Sequence, residues 1–282
     1  MKRILVPTDF SAPSKASLKF AIDLASRAGA EIHVMHASEV PFLPETTFGV
    51  QPFFADDEAL QKVAEAANNA FEVMRRGLPS NVPICFKSIN DSVVSAIRGY
   101  IDDNDIDLVV MSTHGASDIQ DFFAGSTAEK IARFASVPVI SVPKQIELAK
   151  IKNIIFPSDL RLDQNDLVND LKELQQLLQA KLHVLVINTP QNFYSDQQAK
   201  NSLEKFASHY ALQNYTLNFR CHQFERGGIL EFMNELGGDM IAMGTHGRTG
   251  LAHFVKGSIA ESILNRIDHP IWTWKLGKKK WA

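Results

Sequence analysis

Residues 239–258 read D-M-I-A-M-G-T-H-G-R-T-G-L-A-H-F-V-K-G-S. An apolar run, Met240 to Met243, leads into Gly244; two residues separate Gly244 from Gly247, nine separate Gly247 from Gly257, and Ser258 starts a helix-like run at Ile259. A short apolar strand, a glycine turn and a helix start in this order suit anion cradling. Glycines let a turn aim its backbone N–H groups at phosphate oxygens, and a helix N-terminus adds unpaired donors and positive potential. Ser258 is a natural N-cap, and Arg248 and Lys256 bring positive charge to the same loop.

The arrangement occurs twice. Asp107 to Gly115 (D-L-V-V-M-S-T-H-G) matches Asp239 to Gly247 at an offset of 132, and nine residues again lead to Gly125-Ser126. Lys2 to Asp9 (K-R-I-L-V-P-T-D) matches Lys152 to Asp159 (K-N-I-I-F-P-S-D) at an offset of 150. The later match continues through Ala128/Ala260, Glu129/Glu261, Ile131/Ile263 and Pro138/Pro270. Order is kept while the offset falls by 18, so the first copy holds an insertion. A period near 140 marks a duplicated domain rather than a solenoid.

Within each copy short apolar runs alternate with helical patterns. In the first, strands are expected at 3–6, 31–37, 84–88, 108–112 and 137–142, with helices at 13–27, 56–76, 91–102 and 126–134. Ala16, Phe20 and Leu24 form a single period-four stripe on the first helix. Leu108 to Met111 is apolar on both faces, as a strand covered by helices must be. In the second copy strands are expected at 154–157, 182–187, 216–221, 240–244 and 271–274, and helices at 166–179, 196–210, 229–236 and 258–265. The fold class is therefore α/β, a tandem pair of doubly wound parallel-sheet domains at 1–143 and 151–276. Such sheets bind ligands beyond the carboxyl ends of strands where the winding reverses. Both the Pro-Thr-Asp or Pro-Ser-Asp turn after strand one and the glycine loop after strand four lie on that edge. The linker Lys144 to Lys150 is short, so the domains pack as an intramolecular pair.

Composition narrows the function. With 282 residues, 45% hydrophobic and 22% charged, the chain has the profile of a soluble globular protein. A net charge of −3 argues against nucleic-acid or anionic-membrane binding. Lys278 to Lys280 is the one basic run and reads as a solvated, frayed end. Two cysteines, Cys85 and Cys221, are too few for a disulfide framework or a zinc site and are expected as small buried thiols. The start lacks a signal-peptide pattern and no apolar run reaches membrane-span length, so a cytoplasmic location is expected.

Several residues carry two readings. Asp9 and Asp159 suit either a turn or cap, or recognition of an adenine or ribose edge. His114 and His246 lack a catalytic or metal partner at suitable spacing and read as loop hydrogen-bonders. In the first copy Ser112, Ala116, Asp118 and Ala124 replace Gly244, Arg248, Gly250 and Lys256, and Asp118 and Asp121 oppose a triphosphate. That loop reads either as a weakened phosphate site or as one kept for the fold. The segment 39–55, rich in Phe and Pro, is expected to fold back on an apolar surface, either of this chain or of a partner. No Walker loop, kinase loop or nucleophile elbow is present, which disfavours efficient phosphoryl transfer.

Pro7-Thr8-Asp9-Phe10-Ser11 together with Met243-Gly244-Thr245-His246-Gly247 … Gly257-Ser258 resembles the universal stress protein family, whose ATP-binding members carry G-x2-G-x9-G-[ST]. The resemblance covers both halves. It implies two five-stranded parallel sheets of order 3-2-1-4-5 and ATP, with magnesium, in the crevice. By position it implies adenosine contacts at Pro157, Ser158, Asp159, Ile187 and Met243, and ribose-phosphate contacts at Gly244, Gly247, Gly257, Ser258 and Ile259, beside which Arg248 supplies charge. In the first copy the matching positions are Pro7, Thr8, Asp9, Ala37, Met111, Gly115, Gly125, Ser126 and Thr127, with Ser112 departing from the pattern. It further implies pairing through the last strands, internal in a tandem chain, and leaves open a homodimer and a protein partner. The residues alone specify only a phosphate-bearing ligand. The expected function is a stress-response nucleotide-binding protein, without an assigned catalytic base and with at most slow hydrolysis. The alternative is a scaffold or chaperone-like module that binds an apolar ligand or protein.

Overall fold

The computed structural model describes residues 1–39, 57–79, 81–113, 127–143, 145–246 and 268–276. The first half runs β1 (Arg3–Pro7), α1 (Ala12–Ala28), β2 (Glu31–Ser38), α2 (Asp57–Arg75), β3 (Ile84–Asn90), α3 (Val93–Asp103), β4 (Leu108–Ser112), α4 (Thr127–Phe134) and β5 (Val139–Val142). A single 3-10 turn at Leu148–Lys150 joins the halves, and Leu148 and Ile151 beside it are buried. The second half runs β6 (Asn153–Pro157), α5 (Asn165–Leu178), β7 (Lys181–Asn188), α6 (Asp196–His209), β8 (Tyr215–Cys221), α7 (Glu225–Leu236), β9 (Met240–His246) and β10 (Ile271–Leu276).

Local chemistry sets the helix ends. Ser11 caps α1 by accepting from the Ser14 N–H, Pro13 lies in the first turn, and Gly29 ends the helix at φ 66°. At α6 Ser195 and Gln198 satisfy each other's backbone N–H groups in a capping box.

The strands form one ten-stranded sheet of order β3-β2-β1-β4-β5-β10-β9-β6-β7-β8. Read inward from each edge, both halves follow the 3-2-1-4-5 order that the resemblance implies. The seam between them is antiparallel, with Ile271 opposite Ser141, Trp272 opposite Ile140 and Thr273 opposite Val139. Every other pairing is parallel. The last strands therefore pair within the chain.

One face of the sheet carries a core that runs through both halves, from Ile4, Val6 and Phe20 to Phe156, Phe206 and Trp272. The other face carries two separate clusters, one around Leu5, Ile97 and Val109, the other around Ile155, Phe232 and Ile241. Ala132 of α4 belongs to the second-half cluster, so this helix bridges the seam. On the continuous face the Met1 amino group meets Glu173 at 2.7 Å, Arg27 donates to the Leu177 carbonyl at 3.2 Å, and the Trp274 indole N–H donates to Asp170 at 2.7 Å.

Three expectations need correction. Cys85 and Cys221 are exposed, because β3 and β8 are the two edges of the sheet. The buried face of α1 is wider than one stripe and includes Ser14, Ser17, Ala21, Ile22 and Ala25, since the helix packs on the sheet and on α5 together. Helix α7 starts at Glu225 rather than 229, running through Gly227-Gly228, a pair that reads in sequence as a break. The helix expected at 258–265 lies outside the described residues.

Candidate functional site

In each half the first strand lies between the second and the fourth, β1 between β2 and β4 and β6 between β7 and β9. Helices α1 and α5 contribute to the continuous core, whereas α3, α4 and α7 pack on the opposite face. The winding thus reverses beside β1 and β6, the position at which sheets of this kind open a crevice at their carboxyl edge. Ile155 is level with Ile241, which puts Pro157 level with Met243 and Ser158 level with Gly244. Leu5 is level with Val109, so Pro7 is level with Met111 in the first half.

The turns after β1 and β6 have one geometry. Thr8 and Ser158 extend the strand ladder through N–H bonds to the Met35 and Leu185 carbonyls, at 2.8 and 3.0 Å. Their hydroxyls then accept from the N–H two residues on, Phe10 to Thr8 and Leu160 to Ser158, each at 3.0 Å. Phe10 and Leu160 consequently adopt left-handed backbone, φ 62° and 58°. Asp9 Oδ1 accepts from the Ser11 N–H at 3.0 Å, and Asp159 Oδ1 accepts from the Arg161 N–H at 3.3 Å and from Gln164 Nε2 at 3.2 Å. The turn role read for both aspartates is therefore present, and both remain exposed at the lip of the crevice.

The crevice floor in the second half is apolar. Ile187 and Met243, 9% and 5% exposed, share a cluster with Ile155, Leu185 and Ile241. Met111 is buried in the matching cluster of the first half, with Ala37 packed against it. Gly244 faces the other core: a Cβ there would stand 3.0 Å from Leu167 Cδ1 and from Leu276 Cδ1. The leading glycine of the motif thus has a packing reason of its own. Next to it, Thr245 Oγ1 contacts the Ala132 carbonyl of α4 and the Trp274 carbonyl, each at 3.4 Å, joining this strand end to the first half.

Side chains that the sequence did not single out fix the loops around this crevice. The Tyr210 hydroxyl accepts from the Gln164 N–H at 2.9 Å and donates to the Arg161 carbonyl at 3.1 Å, tying the loop after β6 to the end of α6. Asn188, buried at the end of β7, accepts from the Tyr194 N–H at 2.7 Å and donates to the Tyr194 carbonyl at 3.1 Å. Gly228 in α7 lies against Ile187, where a Cβ would stand 2.9 Å from its Cδ1 and Cγ2 atoms. Adjacent glycines inside a helix suit such a close approach, although in sequence the pair reads as a break. Arg161 grips Asp163 at 3.1 and 2.7 Å, and its guanidinium holds that exposed carboxyl below the usual range. Its charge is thereby matched locally by Asp163. Thr127, the other described site residue, is exposed at the start of α4. Gly115, Gly125, Ser126, Gly247, Arg248, Gly257, Ser258 and Ile259 lie outside the described residues, as do His114, the segment 40–56 and the side chain of His246. Among the described residues no group of three or more His, Cys, Asp or Glu is placed to hold a metal ion.

A family model described as the universal stress protein family matches residues 1–143 and again residues 150–275. A universal stress protein of Methanocaldococcus jannaschii is 28% identical over 154 residues, spanning 51% of this chain and 82% of that protein. One from Synechocystis is 20% identical over 295 residues, spanning 98% of this chain and 100% of the relative. Among solved structures, a universal stress protein from Archaeoglobus fulgidus superposes with a TM-score of 0.67 at 19% identity, covering 97% of this chain and 96% of that one. At that identity the likeness is one of fold.

Proposed function

We propose that this chain, which belongs to the universal stress protein family, holds one adenine nucleotide, ATP, in the crevice of its second half. The observation that carries the reading is the alignment at one edge of the turn at Pro157 to Asp159 with Met243 and Gly244, directly before a G-x2-G-x9-G-S loop. An apolar floor with a carboxylate at its lip fits a nucleoside. The base lies on Ile187 and Met243, the ribose hydroxyls meet Asp159, and Pro157 and Ser158 shape the turn. Backbone N–H groups from Gly244, Gly247, Gly257, Ser258 and Ile259 take the phosphates, with Arg248 as compensating charge and magnesium as the counter-ion of the triphosphate. The residues are assigned to binding and none to catalysis. A regulatory protein that senses or stores ATP is the role this supports, built from units at 1–143 and 151–276.

The first-half counterpart, built from Thr8, Asp9, Ala37, Gly115, Gly125, Ser126 and Thr127, binds more weakly. Two cations are replaced by alanine and two aspartates enter the loop. Charge changes near a helix end are each worth about 0.3–1 kcal/mol, so together they weaken a triphosphate by about tenfold or more. Among the described residues no helix is long and apolar enough to cross a membrane, and the cytoplasm, where ATP is abundant, is the proposed compartment.

Calorimetric titration with ATP tests the site. Gly257→Val is expected to abolish the strong binding while circular dichroism stays unchanged. Undetectable binding by the unaltered protein contradicts the reading. Deleting residues 39–55 is expected to leave the strong site intact; a collapse in affinity would make that segment part of it.

A further inference from the structure

The carboxyl edge of the second half carries two phenylalanines on its surface. Phe193 is 74% exposed and Phe224 is 64% exposed, the two most exposed aromatic rings among the described residues. Both belong to loops with a built geometry. Phe193 lies in the connection from β7 to α6, pinned by the paired Asn188–Tyr194 bonds and by the Asn192 N–H, which donates to Thr189 Oγ1 at 3.2 Å. Asn192 Nδ2 then donates to Glu225 Oε1 at 3.1 Å, which ties this loop to the first turn of α7. Phe224 is the N-cap of that helix.

An apolar N-cap forgoes the side-chain bond that Ser, Thr, Asp or Asn supplies. The first half shows the ordinary solution: Ser92, at the repeat-equivalent position 132 residues earlier, accepts from the Ser95 N–H. In the second half no side chain caps the helix, and His222 Nδ1 instead accepts from the N–H of the cap residue itself, Phe224, at 2.9 Å. The imidazole fits against the helix only because residue 227 is glycine, where a Cβ would stand 2.1 Å from His222 Cε1. The next residue, Gly228, brings the helix onto Ile187. A histidine, two glycines and a polar bridge thus hold an exposed ring at the carboxyl edge of the sheet, on a helix that touches Ile187, where a capping residue would do for the helix alone. Departures from local rules of this kind collect at functional sites.

We propose that Phe224, with Phe193 on the neighbouring loop, forms the outer wall of the base subsite and stacks on the purine of the bound nucleotide. This deepens the nucleotide reading and rests on it. The crevice is polarised for such a ligand. The glycine loop follows β9, on one side of β6, while Phe193 and Phe224 follow β7 and β8 on the other side. Phosphates and base accordingly occupy opposite ends. A π face is what an exposed ring offers a base, and stacking of this kind commonly changes affinity by about tenfold.

The test compares ATP with inorganic tripolyphosphate, which lacks the base, by calorimetry on the full chain. In the double variant Phe193→Ser, Phe224→Ser, ATP affinity is expected to fall about tenfold or more while tripolyphosphate affinity is unchanged. Phe224→Tyr, which keeps the ring, is expected to bind ATP as the unaltered protein does. Unchanged ATP affinity in the double variant overturns the inference and leaves the nucleotide reading standing; equal losses for both ligands also overturn it, because they report damage to the crevice. Absence of ATP binding in the unaltered protein removes the nucleotide reading itself, and the wall with it.

Discussion

Gly228 and Gly244 are glycines for different neighbours. At 228 a Cβ would enter the Ile187 side chain at 2.9 Å, next to the base floor. At 244 it would stand 3.0 Å from Leu167 and Leu276, on the opposite face of the sheet from Ile187. Gly228→Val is therefore expected to push α7 off Ile187, lowering the thermal midpoint through a destabilisation of about 1–3 kcal/mol and weakening ATP. Gly244→Ala is expected to be milder, with a loss of affinity well short of that in Gly257→Val, and thermal melts with parallel titrations check both. The glycine motif was legible because its spacing repeats. The packing reason for Gly244 was not, because Leu167 and Leu276 meet it only across helix and strand. Likewise Tyr210 and Asn188 gave no local signal: what they hold becomes visible only once loops distant in sequence meet.

The paired elements β2 and β7 carry a histidine at the same rank. His33 Nδ1 contacts the Tyr100 hydroxyl at 2.9 Å and Nε2 the Glu31 carboxylate at 3.3 Å, whereas His183 contacts Thr216 at 2.7 Å and Asn153 at 3.1 Å. Burial, with Lys181 nearby, pushes the His183 imidazole below its ordinary value. The folded state therefore holds this proton less readily than the unfolded chain. The resulting stability is fully present above the unfolded value near 6.5 and is lost as pH falls through the folded one. Denaturant titrations are expected to show a falling midpoint below about pH 6.5, flattened in His183→Gln; an unaltered acid slope would contradict this. At the sheet edge, burial pushes the Cys85 thiol up, and burial also pushes the neighbouring Tyr100 hydroxyl to about 12. Despite its exposure, Cys85 is expected to alkylate more slowly at neutral pH than a free small-molecule thiol. Element type and order were readable from apolar periodicity. Cysteine exposure was not, since periodicity does not say which strand lies at an edge.

At the scale of the molecule, the antiparallel meeting of β5 and β10 makes one sheet of two repeats and uses up the last-strand surfaces inside the chain. Trp272 lies at this seam, 2% exposed. Trp272→Ala is expected to cost about 3–5 kcal/mol and to lower the stability of both halves together, giving a single shifted transition in calorimetry rather than two. With that surface paired internally, light scattering is expected to return the mass of one chain. The repeats share a frame but differ in sequence: Arg248 and Lys256 correspond to Ala116 and Ala124, and Phe224 stands where Ser92 caps. Nucleotide binding is expected to differ between the halves, and the stoichiometry of ATP per chain decides it. Calorimetry should give one strong site per molecule; two sites of equal affinity, or none, would contradict the account.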